Sequence, residues 1–444
     1  MREKEFLPLI HEKLNIEELN PMQVKMMASA SEPRDVMLLS PTGSGKTLAF
    51  LLPVLKLLKP STGRVQAVII APSRELVIQI ANVAREIAAG YKVTVLYGGH
   101  KVEDEVNSLS VVPDIVVATP GRLLDHAKRR NIDLLPVRIL VLDEFDKSLE
   151  LGFEDDMRKL VERMKNVSRI LLTSATRAET LPDFLKLTNP LTLDYLGQSG
   201  EVRRRQRVHR VDASGRDKLE TLAVLLRDIT KGERPDRSIV FVNHRESAER
   251  VAAYLKQQGI DAVLYHGALE QRDREMALAQ FNNGSRPILV ATDLAARGLD
   301  IEKVTSVIHY HQALTPEVHT HRNGRTARVD ADGDIYVMIG PDEDVKPYVE
   351  FDDIRHLDTS AQANMRSGLS TLNISAGKKE KLSKGDIVGF LTKQCGVPGD
   401  EIGKIDLYDH YSLVALPRQW VPEVEKTARV VKIKGDKRRI TEVN

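Results

Sequence analysis

Five short apolar runs in the first half of the chain each end in a polar signature, and this recurrence restricts the fold more than any other feature. The runs are "VMLL", "QAVII", "DIVVA", "RILVL" and "RILLT"; the signatures after them are "SPTGSGKT", "APSREL", "ATPGR", "DEFD" and "SAT". Runs of Val, Ile and Leu suit parallel strands covered on both faces. Between two of them, Leu76, Ile80, Val83 and Ile87 recur at three- and four-residue steps, which gives an amphipathic helix one apolar stripe. Open parallel sheets bind ligands at the carboxyl ends of their strands. Five signatures at five strand ends therefore predict one connected site.

A second series, "SIVFV", "AVLYH", "PILVAT", "SVIHY" and "DIYVMIG", begins near Arg207 and is separated by helical stretches such as "RESAERVAAYLKQQG". At 444 residues the chain exceeds what one core organises. The expected fold is α/β: two tandem parallel-sheet domains, residues 1–197 and 206–362, with the interdomain linker within Leu196 to Arg207. A polar segment, 363–380, is expected to lead to a small third domain at 381–444. From Lys378 onward 14 Lys or Arg face 10 Asp or Glu, so the tail is basic although the whole chain nets only +2. The single cysteine, Cys395, excludes an intramolecular disulfide. No apolar run approaches the roughly 18 to 20 residues that span a bilayer, and "MREKEFLPLIHEKL" lacks the features of a secretory leader. A cytoplasmic protein without membrane insertion is expected, and nothing in the sequence demands more than a monomer.

"SPTGSGKT" ends as a P-loop does. Gly43 and Gly45 let backbone N–H groups curl round phosphate, Lys46 supplies a point charge, and the Thr47 hydroxyl suits Mg²⁺. Ser40 stands at the first Gly position of the general pattern. A P-loop ATPase also needs a strand end with an Asp for the metal and an acid for the attacking water, and "VLDEFD" offers Asp143 and Glu144. A carboxylate-capped turn is the commoner reading of an isolated acidic pair; the P-loop in the same domain weighs against it. "HRNGRTAR" in the second domain offers Arg322, Arg325 and Arg328, of which Arg325 and Arg328 are spaced to act as arginine fingers. Hydrolysis would then require the two domains to close.

With these residues in hand, residues 1 to 360 resemble the DEAD-box RNA helicases, whose P-loop signature tolerates a small residue at the first position. The resemblance implies tandem RecA-like domains, with ATP and Mg²⁺ as cofactors and RNA as partner. It implies nucleotide contacts from Phe6 and Gln23, which would read adenine, from the loop Thr42, Gly43, Ser44, Gly45, Lys46 and Thr47, and from Gly298 and Asp300. It implies a metal site at Thr47, Asp143 and Glu144, and coupling of hydrolysis to unwinding through Asp146, Ser174, Thr176 and His321. On the RNA side it implies Arg74, Gly98, Gly99, Thr119 and Arg122 in the first domain, and Gln271, Arg274, Thr292 and Asp293 in the second. Such groups grip phosphate and sugar without reading bases. Phe145 departs from the family, which has Ala there; a phenyl ring would overpack a tight site by about 1–3 kcal/mol unless its neighbours have shrunk.

The tail is similar to the RRM-like RNA-binding domain of the DbpA group of bacterial ribosomal-RNA helicases. "GDIVGFL", "IGKIDLYD" and "YSLVALP" are expected as strands, and "KIKGDKRRITEV" as a basic final strand. Only Tyr411 offers an aromatic on the strand where the general RRM pattern expects two, so phosphate contact by Lys432, Lys434, Lys437, Arg438 and Arg439 is expected instead. The resulting expectation is an ATP-dependent RNA helicase that unwinds short duplexes in large-subunit ribosomal RNA during ribosome assembly. The alternatives are an ATP-gated RNA clamp with little hydrolysis, raised by Phe145, and a DNA helicase with the same core.

Overall fold

The computed structural model describes residues 3–41, 43–99, 101–177, 181–187, 189–196, 205–230, 236–296, 301, 304–326, 332–361 and 363–443. The chain divides into two compact units, with the division between Arg204 and Arg205.

The first unit holds a seven-stranded parallel sheet in the order β3 (Val93–Leu96), β4 (Ile115–Ala118), β2 (Ala67–Ile70), β5 (Ile139–Leu142), β6 (Arg169–Ser174), β1 (Val36–Leu39), β7 (Leu191–Asp194). Its central strands bury both faces, and alternate residues feed two separate cores. Ala67, Ile69, Ile115, Val117, Ile139 and Val141 enter one cluster, while Val68, Ile70, Val116, Leu140 and Leu142 enter the other, as a two-residue side-chain period dictates. The helix Arg74–Ile87 is capped by Ser73, whose hydroxyl accepts from the Leu76 N–H at 3.2 Å. It buries Leu76, Ile80 and Ile87 as expected, but Ala84 rather than Val83 completes the buried stripe.

The second unit carries a parallel sheet in the order β10 (Ala262–Tyr265), β11 (Ile288–Ala291), β9 (Ser238–Phe241), β12 (Ser306–His309), β13 (Gly333–Ile339), β8 (Gln206–Asp212), β14 (Asp353–Ile354). Gln206 and Arg207, expected in the interdomain linker, are the first residues of β8.

A four-stranded antiparallel sheet belongs to the same unit, in the order β16 (Ile405–Leu407), β17 (Ser412–Pro417), β15 (Leu369–Ile374), β18 (Ile440–Glu442). It differs from expectation in three places. β15 pairs with both β17 and β18, so the segment expected as a linker, 363–380, supplies a central strand, and the small domain starts well before Lys381. "GDIVGFL" lies in a helix, Lys384–Lys393, because Ser383 and Asp386 form a reciprocal capping box and Ile387, Phe390 and Leu391 share one buried face. The basic run does not form a strand: Lys434 and Gly435, at φ 51° and 87°, make a tight reversal that an Ile433–Asp436 bridge closes, and β18 begins only at Ile440. Cys395 is buried in this small core, and burial pushes its thiol up to about 11. Trp420 packs at the core's edge and donates its indole N–H to Glu401.

Candidate nucleotide and RNA site

In the first unit, the P-loop leaves β1 and enters the helix Lys46–Leu57. Gly43 and Gly45 take φ of 79° and 85°, the left-handed region that glycine adopts without strain. A Cβ at Gly45 would also stand 2.7 Å from the Gln23 amide nitrogen. Lys46 is buried and donates from Nζ to the Ser40 carbonyl at 2.9 Å; Thr47, next on the helix, is half-buried. Thr42 lies outside the described residues.

The P-loop is clipped from behind by a residue that the motif reading missed. Asn20 caps the helix Pro21–Ser29 in a reciprocal box with Gln23, the Asn20 N–H donating to Gln23 Oε1 at 3.0 Å and the Gln23 N–H to Asn20 Oδ1 at 2.9 Å. Asn20 Nδ2 then donates to the Ser44 carbonyl at 3.2 Å, and Gln23 Nε2 to the Gly45 carbonyl at 3.4 Å. The polar pair three residues apart before an apolar run was the sequence signal for this clip. Phe6 corrects an expectation: it is fully buried in the cluster that includes Ile10, Met22 and Met26, so it offers no exposed ring face for a base to stack on.

Asp143 and Glu144 leave β5 buried at 3% and 7% exposure, too little for the solvated turn that a lone acidic pair usually makes. Thr173 on β6 joins them, donating its hydroxyl to Asp143 Oδ1 and accepting the Glu144 N–H at 3.1 Å. Burial pushes the Asp143 carboxyl up, opposed by the Thr173 hydrogen bond and by the charge of Lys46. Glu144 has φ 46° and caps the helix Phe145–Glu150, so the chain turns sharply after the carboxylate pair. Asp146 accepts from the Thr176 hydroxyl at 2.9 Å, Ser174 Oγ bonds within its own turn to Thr176, and the Ser40 N–H donates to the Ser174 carbonyl at 3.0 Å. The ends of β1, β5 and β6 are thus locked to one another. The Phe145 ring belongs to the apolar cluster with Met157, Leu160 and Leu172. The extra volume is taken up there, with the Asp143 and Glu144 hydrogen bonds intact.

The residues of the first unit expected on the RNA side also lie near one another. Arg74 lies across Gly98 and Gly99, where a Cβ on Gly99 would stand 2.1 Å from a guanidinium nitrogen. Thr119 caps the helix Pro120–Lys128. Arg122 pairs with Glu105 at 3.1 Å and donates to the Tyr97 carbonyl at 3.2 Å. Glu105 and His126, both buried and 2.7 Å apart, were not foreseen; the apolar spacing of their helices marks the buried faces but not this contact.

In the second unit Arg322 is fully buried and acts as a hub. It donates to Asp293 at 2.6 Å, to the Asn243 side-chain carbonyl at 2.8 Å and to the His311 carbonyl at 2.8 Å. Thr292, half-buried, donates its N–H to the Tyr265 carbonyl at 3.3 Å. His321 and Arg325 are buried at and just beyond the end of the helix Pro316–Asn323. Arg328, Gly298 and Asp300 lie outside the described residues. Gln271 and Arg274 share the first turn of the helix Gln271–Asn282. In the tail, Lys432, Lys434, Lys437 and Arg439 are exposed, and Lys434 and Arg438 pair with Asp386 and Asp436 at 2.9 and 2.7 Å.

Comparison with known proteins follows this division. Residues 20–184 match the DEAD/DEAH box helicase model, residues 217–330 the helicase conserved C-terminal domain, and residues 371–442 the DbpA RNA binding domain. The chain is 33% identical to the ATP-dependent RNA helicase DbpA of Escherichia coli, covering 94% of this chain and 93% of that one. It is 28% identical to the DbpA of Bacillus subtilis, covering 98% and 96%. Among solved structures, Mss116 bound to single-stranded RNA and UDP-BeF superposes with a TM-score of 0.69 at 28% identity, over 77% of this chain and 73% of that one. Dbp5 of S. cerevisiae bound to RNA and ADP BeF3 superposes at 0.66 and 26% identity, over 76% and 87%.

Proposed function

Because the chain belongs to the DEAD-box family of ATP-dependent RNA helicases, we propose that its RNA-stimulated ATP hydrolysis serves to unwind short duplexes in large-subunit ribosomal RNA during ribosome assembly, with the small C-terminal domain choosing the site. The observation that carries the catalytic part is the lock between the P-loop, the Asp143–Glu144 pair and the Ser174–Thr176 turn through Ser40, Thr173 and Asp146. A change at one strand end reaches the other two through single hydrogen bonds, as a site coupling phosphate chemistry to movement requires.

We assign Lys46 and the loop N–H groups to the phosphates, and Glu144 to the attacking water. Gln23 would exchange its bond to Gly45 for the adenine edge. The Thr47 hydroxyl and the Asp143 carboxylate are hard oxygen donors that suit magnesium, and both lie at the phosphate end of the sheet. Magnesium, when bound, would neutralise charge on the transferring phosphoryl group. Arg325 and Arg328 are assigned the remaining charge neutralisation, and Asp146, Ser174, Thr176 and His321 the coupling. Arg74, Gly98, Gly99, Thr119, Arg122, Gln271, Arg274, Thr292 and Asp293 are assigned to the RNA backbone, and Lys432, Lys437 and Arg439 to the target RNA of the tail.

The ring of Phe145 was the reason to consider a non-hydrolysing clamp, and its place in the apolar core removes that reason. No helix among the described residues is long and apolar enough to cross a membrane; we propose a cytoplasmic site of action. Crosslinking the protein to total cellular RNA and sequencing the bound fragments tests the target. Enrichment of one large-subunit segment is expected, and uniform recovery of unrelated transcripts would refute the ribosomal assignment.

A further inference from the structure

The small domain is bonded to the helix that carries two of the assigned RNA contacts. Asn283 Nδ2 and the Ser285 hydroxyl meet Thr371 Oγ1 at 2.9 and 2.7 Å, and Gln280 Nε2 donates to the Val443 carbonyl at 3.1 Å. Asp261, beside β10, accepts from Arg286, from the Ser367 N–H at 2.8 Å and from Arg418 at 3.1 Å. These bonds hold β15, β17 and β18 against the second core domain.

One contact reaches further. The Tyr411 hydroxyl donates to Glu275 Oε2 at 2.5 Å, and the other oxygen of that carboxylate, Oε1, accepts from Gln271 Nε2 at 3.1 Å. Tyr408 stacks on Tyr411 at 4.5 Å with 11° between the rings, and the Arg272 guanidinium lies 5.1 Å from the Tyr411 ring centre. Tyr411 is therefore held on its ring and at its hydroxyl. Resting on the assignment of Gln271 to the RNA backbone, we propose that Tyr411 is a positioning residue for strand binding: through Glu275 it fixes the side chain of Gln271, so that the docked tail strengthens the grip of the core on any single-stranded RNA, apart from choosing a target.

The chemistry is consistent with a one-way hold. Glu275 ionised can only accept, so it needs two donors facing it, and the Gln271 amide and the Tyr411 phenol supply them. Burial, with the Glu275 carboxylate beside it, pushes the Tyr411 phenol up, which keeps the hydroxyl a donor. Without the phenol the carboxylate is free to turn toward Arg272 or water, and the Gln271 side chain regains its rotamers. An ordered contact then becomes one that must be ordered on binding.

The test uses the full chain and an oligo(U) RNA, which isolates the core's grip from target choice. The concentration of RNA giving half-maximal ATPase stimulation is measured for wild type, Tyr411→Phe, Gln271→Ala, the double variant and Thr371→Val. Tyr411→Phe keeps the ring and its stacking, and Thr371→Val breaks the two docking bonds to Asn283 and Ser285 without touching Glu275. The expected result is a rise of about three- to tenfold for Tyr411→Phe, unchanged kcat at saturating RNA, no further rise when Gln271→Ala is added, and no rise for Thr371→Val. If Gln271→Ala raises the value and Tyr411→Phe does not, or if the two effects multiply, or if Thr371→Val matches Tyr411→Phe, the positioning role is overturned while the RNA contact stands. If Gln271→Ala itself has no effect, the contact assignment fails and the positioning role with it.

Discussion

The two seven-stranded sheets are wound in the same order: each strand from β3 through β7 of the first has a counterpart seven numbers later in the second. Their first strands are each followed by a lysine at the start of a helix, Lys46 after β1 and Lys218 after β8. The surroundings of the two differ. Lys46 Nζ reaches only the Ser40 carbonyl among its described hydrogen bonds, within a loop of left-handed glycines that can take phosphate. Lys218 Nζ is held by the Met338 carbonyl at 3.1 Å and by both oxygens of Glu343 at 2.9 and 2.8 Å. The central strands diverge likewise. β5 is followed by Asp143 and Glu144, and the same two places after β12 hold Tyr310 and His311. One topology thus hosts two chemistries: the first sheet brings a lysine in a glycine loop and a carboxylate pair to its strand ends, where the second ion-pairs its lysine with Glu343 and places Tyr310 and His311.

The largest effect should come from Glu144, the member of the matched pair to which we assign the attacking water. Glu144→Gln keeps the shape and removes the base, and RNA-stimulated phosphate release should drop by about 10²–10⁴-fold with ATP still bound. Its counterpart His311→Gln should leave the hydrolysis rate within a few-fold of wild type. Equal losses would show that the two strand ends are not divided as described.

Phe145 sharpens the contrast within the first sheet. Substitution by the family's Ala would empty a buried site, so Phe145→Ala should destabilise the first unit by about 3–5 kcal/mol without raising the hydrolysis rate. A faster enzyme of unchanged denaturation midpoint would mean that the ring restrains the site.

What was legible follows from burial. In both sheets the strands with neighbours on either side and cover on both faces read as continuous apolar runs, and β1, β2, β4, β5, β6, β9, β11, β12 and β13 were all expected from them; β10, at an edge, was expected as well because "AVLY" stays apolar. The other edge strands, β3, β7 and β14, were not. β7 reads "LTLD" with alternate residues exposed, β14 is two exposed residues, and β8, "QRVHRVD", mixes charge into its buried pattern because it lies next to that edge. The polar signatures all fall where the strands stop, so the strand ends that carry the P-loop and the carboxylate pair were legible. Thr173, Asn20 and Glu105 escaped because each acts through a partner distant in sequence, and Phe6 was misjudged because a fully buried aromatic and a stacking one share the same letter.

Lys218 tests the structural half of the lysine pair. Lys218→Met keeps the stem and removes the charge; Glu343 is partly exposed and can rehydrate, so the loss should be about 1–2 kcal/mol. Denaturant titration should show this, while ATPase activity per folded molecule stays unchanged. A loss of nucleotide affinity instead would assign Lys218 a role like that of Lys46.

The smallest effect belongs to His311, and its sign is determined by what the ring touches. His311 Nδ1 accepts the Asn243 N–H at 3.2 Å, which only an unprotonated nitrogen can do, and the Asn243 side chain and the His311 carbonyl both bind Arg322. Burial, with the charge of Lys218 nearby, holds the ring down at about 4, below the 6.5 usual for a histidine. Between those two values the unfolded chain binds the proton and the folded one does not, so stability falls as the pH drops through that window and is fully present above it. His209 on β8 opposes this slope: its hydrogen bond to Asp334 raises it, so its contribution is present at low pH and fades as the pH rises. The ring of His311 keeps part of its contact with solvent, so the net loss between pH 7 and 5.5 should be only roughly 1 kcal/mol. His311→Gln should flatten that part of the pH dependence of the denaturation midpoint, while His209→Gln should steepen it. If both substitutions flatten the slope, the second sheet does not shift His209 and His311 in opposite directions.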